Sequence, residues 1–451
     1  MRGNGLVRWL TMGFAIIAST TFGLAAAAGQ ATFAAGFGKA DITPAEPVFM
    51  GGYAMRGTAS AGLHGRDQLF ARALALADGT TRLVIVETDI IGIRNHEELR
   101  GQIAKATGLR LDCVILGDVH NHAAPAPGDK NAHTAWQKRF GEALVAAARQ
   151  ALGSLQPARL GMGSGHSRVA MNRRKVMQDT QTYDTFDENY ASQTFGPFKT
   201  DQPVLLHELE GVVRLGANPL GPIDDEVGVL RIDRADGRPL AVLINYACHG
   251  TSLGGRNGLI CSEWMGHMLA AVEQAVPGVQ AVFVQGAAGD INPRVVGGLD
   301  GYKDDPENTT ALGREIAEEA VRVYAGTKTE VPRDPVIRLV SRTLELPRAY
   351  GELYEDYKRT TVDVPATALR VGDFTLVTFP GEMFHEIGLQ VKRASPSKIT
   401  FIAGYTNGSV GYMPTQAAFA EGGYEPDASH FAPQAEKLYL RQVAKLLAAL
   451  R

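Results

Sequence analysis

Residues 113–127 read CVILGDVHNHAAPAP, an apolar run that turns abruptly into Asp118, His120 and His122 and then into a proline-rich loop. The run has the length of one short buried strand. In an extended segment residues i and i+2 point to the same side, so the spacing predicts that both imidazoles face one space. Three other apolar runs end in the same way, at YACHGTS (246–252), QGAAGDINPR (285–294) and FPGEMFHE (379–386). Ligand sites collect at strand ends in α/β sheets, where polar groups meet substrate instead of core.

Working outward, further short apolar runs alternate with amphipathic stretches. Strands are expected at 82–89, 113–117, 227–232, 240–247, 279–285, 336–346 and 374–379, and helices at 97–107, 135–155, 265–276, 310–324 and 435–450. Alternation of this kind gives an α/β class, with mixed β-sheets flanked by helices. The segment 172–202 is polar, dotted with aromatics and free of periodicity, and reads as a long surface excursion. Asp304 to Asn308 reads as a turn leading into a helix.

At 451 residues with 45% apolar side chains, the chain can bury a large core without help from cross-links. Its 45 basic and 48 acidic residues leave a net charge of -3, which gives nucleic acid no electrostatic footprint. Arg2 and Arg8, an apolar segment and Ala26-Ala27-Ala28 have the layout of a secretory signal peptide over residues 1–28, so the expected product is exported, periplasmic or secreted. No later stretch is apolar for long enough to span a bilayer. In an oxidising compartment the three cysteines allow one bridge at most; Cys248 and Cys261 either pair or remain buried thiols.

Metal binding is the most economical use of two histidine-bearing strand ends and a carboxylate after Pro380-Gly381, because neutral imidazoles with one carboxylate form a usual hydrolytic zinc set. Helical HExxH zinc motifs are absent. His122 is open to two roles, as a ligand or as a donor of a proton or hydrogen bond to a developing oxyanion. In QGAAGDINPR the small residues let a backbone approach a ligand closely, although a plain strand-to-turn connection ended by Asn292-Pro293 explains them equally well.

These pieces together resemble the catalytic domain of the neutral, alkaline-active ceramidases, zinc amidases that cleave the N-acyl bond of ceramide. The likeness runs in order through AGFGKADITP (35–44), GGY (51–53), LHGRDQLFARALAL (63–76), TDIIGI (88–93), GDVHNHAAP (117–125) and MNRR (171–174). It continues through YACHGTS, QGAAGDINP, FPGE and GYMPT (411–415). The resemblance implies a single large ceramidase-like catalytic domain over residues 29–451, with one Zn2+ per chain held by His120, His249, Glu382 and Tyr412. It also implies that His122, Arg173 and Tyr424 line the reacting centre. Two departures stand out. The family carries GDVSPN, with a serine at the site, where this chain has GDINPR, so Asn292 takes the serine's place. An asparagine is no acyl-accepting nucleophile, which leaves metal-activated water as the attacking group and Asn292 to position or polarise. The helix ending KLLAALR at 445–451 stands where the family usually adds an immunoglobulin-like domain, and the expectation is a chain without that C-terminal domain.

The functional expectation is an exported zinc-dependent amidohydrolase acting on a small N-acyl amine or lipid-like amide. An esterase or lactonase using the same groups, and a non-catalytic ligand-binding relative, are the alternatives. A metallophosphoesterase, suggested by GDVH alone, lacks the downstream GNH-type and paired-histidine motifs.

Overall fold

The computed structural model describes residues 33–53, 60–63, 65, 67–128, 134–176, 213–296, 305–349 and 359–451. The expected signal peptide lies outside them.

An eight-stranded mixed sheet has the order β10-β9-β8-β5-β1-β2-β3-β4. Its strands are β1 (Ala34–Asp41), β2 (Phe70–Ala77), β3 (Arg82–Thr88), β4 (Val114–Asp118), β5 (Gln156–His166), β8 (Glu226–Arg234), β9 (Pro239–Tyr246) and β10 (Gln280–Gln285). The β3/β4 and β10/β9 pairs are parallel. A four-stranded sheet, β12-β13-β14-β16, contains β12 (Ile337–Pro347), β13 (Thr361–Val371), β14 (Phe374–Thr378) and β16 (Ile399–Ala403), with β14 parallel to β16.

Alternation along each strand decides how the sheets stack. Leu83 and Ile85 of β3, Leu243 of β9 and Val284 of β10 share one buried cluster with Phe374, Leu376 and Phe401 of the four-stranded sheet, so the two sheets pack face to face. The rings of Phe374 and Phe401 meet edge to face with centroids 5.0 Å apart. Each fully buried ring contributes roughly 1.5–3 kcal/mol through burial. The intervening residues face helices. Val84, Val86, Val114 and Leu116 pack under α1 (His96–Thr107) and α2 (Thr134–Gly153), whereas Val242, Ile244 and Phe283 pack under α3 (Glu263–Ala275) and α4 (Pro306–Gly326). Beyond the four-stranded sheet lie α5 (His385–Ala394) and α6 (Ala435–Ala448). The result is an α/β stack of helix, sheet, sheet and helix layers, with the strands apolar on both faces.

Gly36 and Gly38 of β1 allow close approach of α2: a Cβ on either would lie 2.2 Å from the Ala151 carbonyl oxygen or 2.1 Å from that of Ala147. A smaller sheet, β11-β6-β7, joins β6 (Ala170–Val176), β7 (Val213–Asn218) and β11 (Ile291–Pro293). The expected surface excursion therefore starts later than its polarity suggests, because Asn172 to Val176 belong to β6. Residues 177–212 lie outside the described residues. Asp305 caps α4, accepting the Glu307 N–H at 2.9 Å as the acidic turn predicts, while Asp304 lies outside the described residues. All three cysteines are free and buried, so Cys248 and Cys261 are thiols. Among the described residues no helix is long and apolar enough to cross a membrane.

Candidate metal centre

The parallel pairs bring several strand C-termini to one edge. Gly286 N–H bonds to the Tyr246 carbonyl, Gly404 N–H to Gln285 and Phe379 N–H to Ala403, which stitches the ends of β9, β10, β16 and β14 together. Asn407, just beyond β16, reaches β4 by donating its N–H to Leu116 and accepting the Leu116 N–H on Oδ1 at 2.9 Å.

His120 and His122 leave β4 at this edge, and their rings meet with centroids 4.8 Å apart. The pleat expected from their spacing is not the cause. β4 ends at Asp118, and His120 has φ 58°, a left-handed conformation disfavoured for a residue with a Cβ. The Asp118 carboxylate fixes this turn by accepting the N–H groups of His120 at 3.1 Å, Gly92 at 3.1 Å and Ile93 at 3.3 Å. Tyr405 stacks on the His120 ring with centroids 4.1 Å apart. His122 N–H bonds to the Gly250 carbonyl, tying this loop to the one that carries His249.

His249 is fully buried, and its Nδ1 lies 2.7 Å from the Ala288 carbonyl and 3.0 Å from that of Ile291. Two carbonyl acceptors require a proton on Nδ1, so Nε2 carries the lone pair and faces inward. Burial, reinforced by Arg173, lowers its pKa to about 4, which keeps the ring neutral. Glu382 and Tyr412 are placed by a two-strand parallel ladder, β15 (Glu382–Met383) with β17 (Tyr412–Met413), in which they are direct partners. Burial pushes the Glu382 carboxyl upward, yet His120 and His249 outweigh it and hold the group well below the usual carboxylate range. The Tyr412 hydroxyl is pushed well above its usual range by burial and by Glu382.

Arg173, on β6, occupies the centre of the remaining wall. Its Nη2 donates to the Tyr412 hydroxyl at 3.1 Å, and its Nη1 meets His249 Nε2 at 3.2 Å and Asn292 Oδ1 at 3.4 Å. The neighbouring Arg174 turns to Glu421 and Gly422 instead, so the two arginines of MNRR are distinct in role. Both are joined by Glu425, whose carboxylate accepts Arg173 Nε at 2.8 Å and Arg174 Nη1 at 2.9 Å. Tyr424 packs edge to face on Tyr412 with centroids 5.4 Å apart, and the Arg173 guanidinium lies 6.0 Å from its ring centre. His120, His122, Arg173, His249, Asn292, Glu382, Tyr412 and Tyr424 are therefore linked in one contact network. Glu425, Thr251, whose hydroxyl lies 3.4 Å from Asn292 Oδ1, and Tyr405 were missed. A carboxylate beside Tyr424 and a hydroxyl two residues after His249 were the only signals for the first two. Asp89 and Asp290, carboxylates at strand ends, serve as anchors: Asp89 pairs with Arg72 at 2.5 Å and Asp290 with His385 Nδ1 at 2.6 Å.

The donor spacing suits a small dication. Glu382 Oε2 lies 3.1 Å from His249 Nε2 and 3.4 Å from His120 Nε2. In a tetrahedral shell with bonds of about 2.0–2.1 Å, neighbouring ligand atoms are about 3.3 Å apart. His122 belongs to the same cluster, with its ring nitrogens and those of His120 and His249 providing donors within 4.8 Å of one another. Two imidazoles, a carboxylate and a phenol form a donor set that fits zinc.

Known proteins resemble this chain in sequence and in fold. Neutral ceramidase A of Dictyostelium discoideum is 27% identical over 327 residues, covering 66% of this chain and 41% of its own. The neutral ceramidase of Pseudomonas aeruginosa is 26% identical over 317 residues, covering 66% of this chain and 42% of its own. A solved ceramidase complexed with C2 superimposes with a TM-score of 0.71 over 93% of this chain and 75% of that one, at 19% identity. The chain is neutral ceramidase-like. A crystal structure of the Pseudomonas aeruginosa neutral ceramidase gives a TM-score of 0.70 over 94% of this ceramidase-like chain and 75% of that one, also at 19% identity. The chain spans about two fifths of the length of the curated relatives it matches. No family model matches it.

Proposed function

We propose that this chain is an exported zinc-dependent amidohydrolase that cleaves the C–N bond of an N-acyl amide, ceramide-like lipids among its substrates. His120, His249, Glu382 and Tyr412 would hold one Zn2+. The observation that carries the reading is the approach of two inward-facing imidazole nitrogens to a single oxygen of Glu382. Zinc supplies Lewis acidity for the acyl carbonyl and lowers the pKa of the attacking water.

The protein's own groups do the rest. Arg173 stays charged: burial works against the guanidinium, but Tyr412, Glu425 and Glu382 more than compensate. It stands ready to stabilise negative charge on the carbonyl oxygen, held in place before reaction by the Glu425 carboxylate. Asn292 presents its Oδ1 to Arg173 and Thr251, which leaves its amide N–H groups to orient the substrate carbonyl or water. Tyr424 lines the same wall beside Tyr412 and confines the acyl group. His122, whose ring meets those of His120 and His249, would donate a proton or a hydrogen bond at the reacting centre. With asparagine in place of serine, no acyl-enzyme forms.

The test is hydrolysis of a panel of N-acyl amides, including short-chain ceramides, alongside matched esters. Chelation and His120→Ala should each abolish amide turnover, and readdition of zinc should rescue only the chelated protein. A rate untouched by His120→Ala would refute the site, and folded, zinc-loaded protein that binds the amides without cleaving them would identify a binding relative. A stable covalent acyl adduct on any side chain would overturn the direct attack by water.

A further inference from the structure

A second cluster borders the His120/His122 loop through Cys261. Asp67, from the segment before β2, Cys261, just before α3, and His267, within α3, bring one carboxylate oxygen, one sulfur and one imidazole nitrogen within 4.8 Å of one another. Cys261 Sγ lies 2.9 Å from Asp67 Oδ2, and His267 Nε2 lies 3.5 Å from that same oxygen. We propose that Asp67, Cys261 and His267 form a second metal site, selective for a borderline transition-metal dication such as zinc.

The arrangement argues against a nucleophilic cysteine. In such a pair the imidazole must take the thiol proton, but here a carboxylate lies between sulfur and ring. Burial, with Glu263 and Asp67 adding negative charge, pushes the Cys261 thiol upward, so it is poorly reactive without a cation. A dication reverses that balance. Its binding breaks the S–H bond, releases the proton to solvent and forms a metal–sulfur bond, with no change of oxidation state. Sulfur and nitrogen donors exclude calcium and magnesium, which take oxygen. Glu263 is not a fourth ligand, because its carboxylate accepts from Ser252 at 2.5 Å and from the Leu253 N–H at 2.9 Å. Three protein groups leave a coordination position for water. The site is reachable from its edge: the His267 and Asp67 side chains are 20% and 16% exposed, while Cys261 is fully buried.

The backbone of Cys261 also supports the candidate catalytic loop. Asn121 Nδ2 donates to the Cys261 carbonyl at 2.8 Å, and the Cys261 N–H donates to the Ala123 carbonyl. A cation here would brace the loop that carries His120 and His122 without joining the reaction.

Cobalt distinguishes this site from the other, which contains no sulfur. Full-length protein stripped with chelator and titrated with Co2+ should gain a near-ultraviolet thiolate-to-cobalt charge-transfer band whose final intensity corresponds to one thiolate-bound cobalt per chain. Cys261→Ser should eliminate the band, and His120→Ala should retain it even where it empties the catalytic centre. His267→Gln, at a partly exposed position where the fold can be checked by circular dichroism, should weaken the band-forming affinity by at least the roughly ten- to hundredfold cost of losing an outer-shell partner. Cobalt-saturated wild-type protein without the band, a band that survives Cys261→Ser, or an affinity unchanged in folded His267→Gln would each overturn the proposal.

Discussion

The loop after β9 holds His249 by its ring, whereas the loop after β4 holds His120 by its backbone. His249 is locked by two carbonyls on Nδ1. Among the described residues the buried Nδ1 of His120 has no hydrogen-bond partner, and that ring is aimed instead by a left-handed φ and by stacking on Tyr405. Two routes thus deliver two imidazoles to one carboxylate oxygen. The first stores orientation in hydrogen bonds, which also stabilise the fold; the second stores it as backbone strain, which opposes folding.

Substitutions should separate the two routes. His249→Ala and His120→Gly should both lower kcat/KM about a thousandfold or more, equivalent to about 4 kcal/mol of barrier. Their stabilities should diverge. His249→Ala leaves a cavity and an unsatisfied carbonyl and should cost about 3 kcal/mol in urea denaturation. His120→Gly relieves the left-handed strain and should raise stability by about 1 kcal/mol in the same experiment. Equal destabilisation of both variants would break the comparison.

Glu425→Gln tests the opposite wall. It removes one partner from a buried pair of arginines and should destabilise the chain by about 3–5 kcal/mol, read by denaturant midpoint.

Acid should act on His249 and also on a histidine that belongs to neither loop. His96, in the first turn of α1, has its pKa lowered by burial to about 3. Its folded value lies below the unfolded one, so its contribution is complete above about pH 6.5 and fades as pH falls toward 3. Over the first unit below about pH 6.5 the loss should be about 1 kcal/mol, and His96→Leu should flatten that part of a stability–pH profile. The smallest effect should come from Tyr405→Phe. Among the described residues its buried hydroxyl has no hydrogen-bond partner, so removing it while keeping the ring stack should leave the melting temperature unchanged or slightly raised.

Strands rich in Val, Ile and Leu were legible in the sequence, as were the five long helices. β1 and β2 were not, because AAGFGKAD and FARALALA place alanine and glycine where the sheet meets α2, and such residues carry little strand signal. β13 contains Pro365 and β6 reads AMNRRKV, patterns that resemble loops until their neighbours pair with them. At the site, residue identities were legible but the means of placement were not. The His-x-His spacing foretold two converging rings, yet a left-handed turn brings them together rather than a pleat. Glu425 stayed hidden because its importance comes only from contact with Arg173, 252 positions earlier.

That separation has a consequence for biosynthesis. Arg173 waits for its counter-charge until nearly the whole polypeptide has been made, and the Glu382–Tyr412 ladder completes the pocket just as late. The first strands and helices can collapse during translation, but they cannot assemble the candidate metal centre by themselves. A prematurely terminated product would accordingly lack both the Glu425 counter-charge and the Glu382–Tyr412 ladder, so an intact candidate centre becomes a readout of completed synthesis.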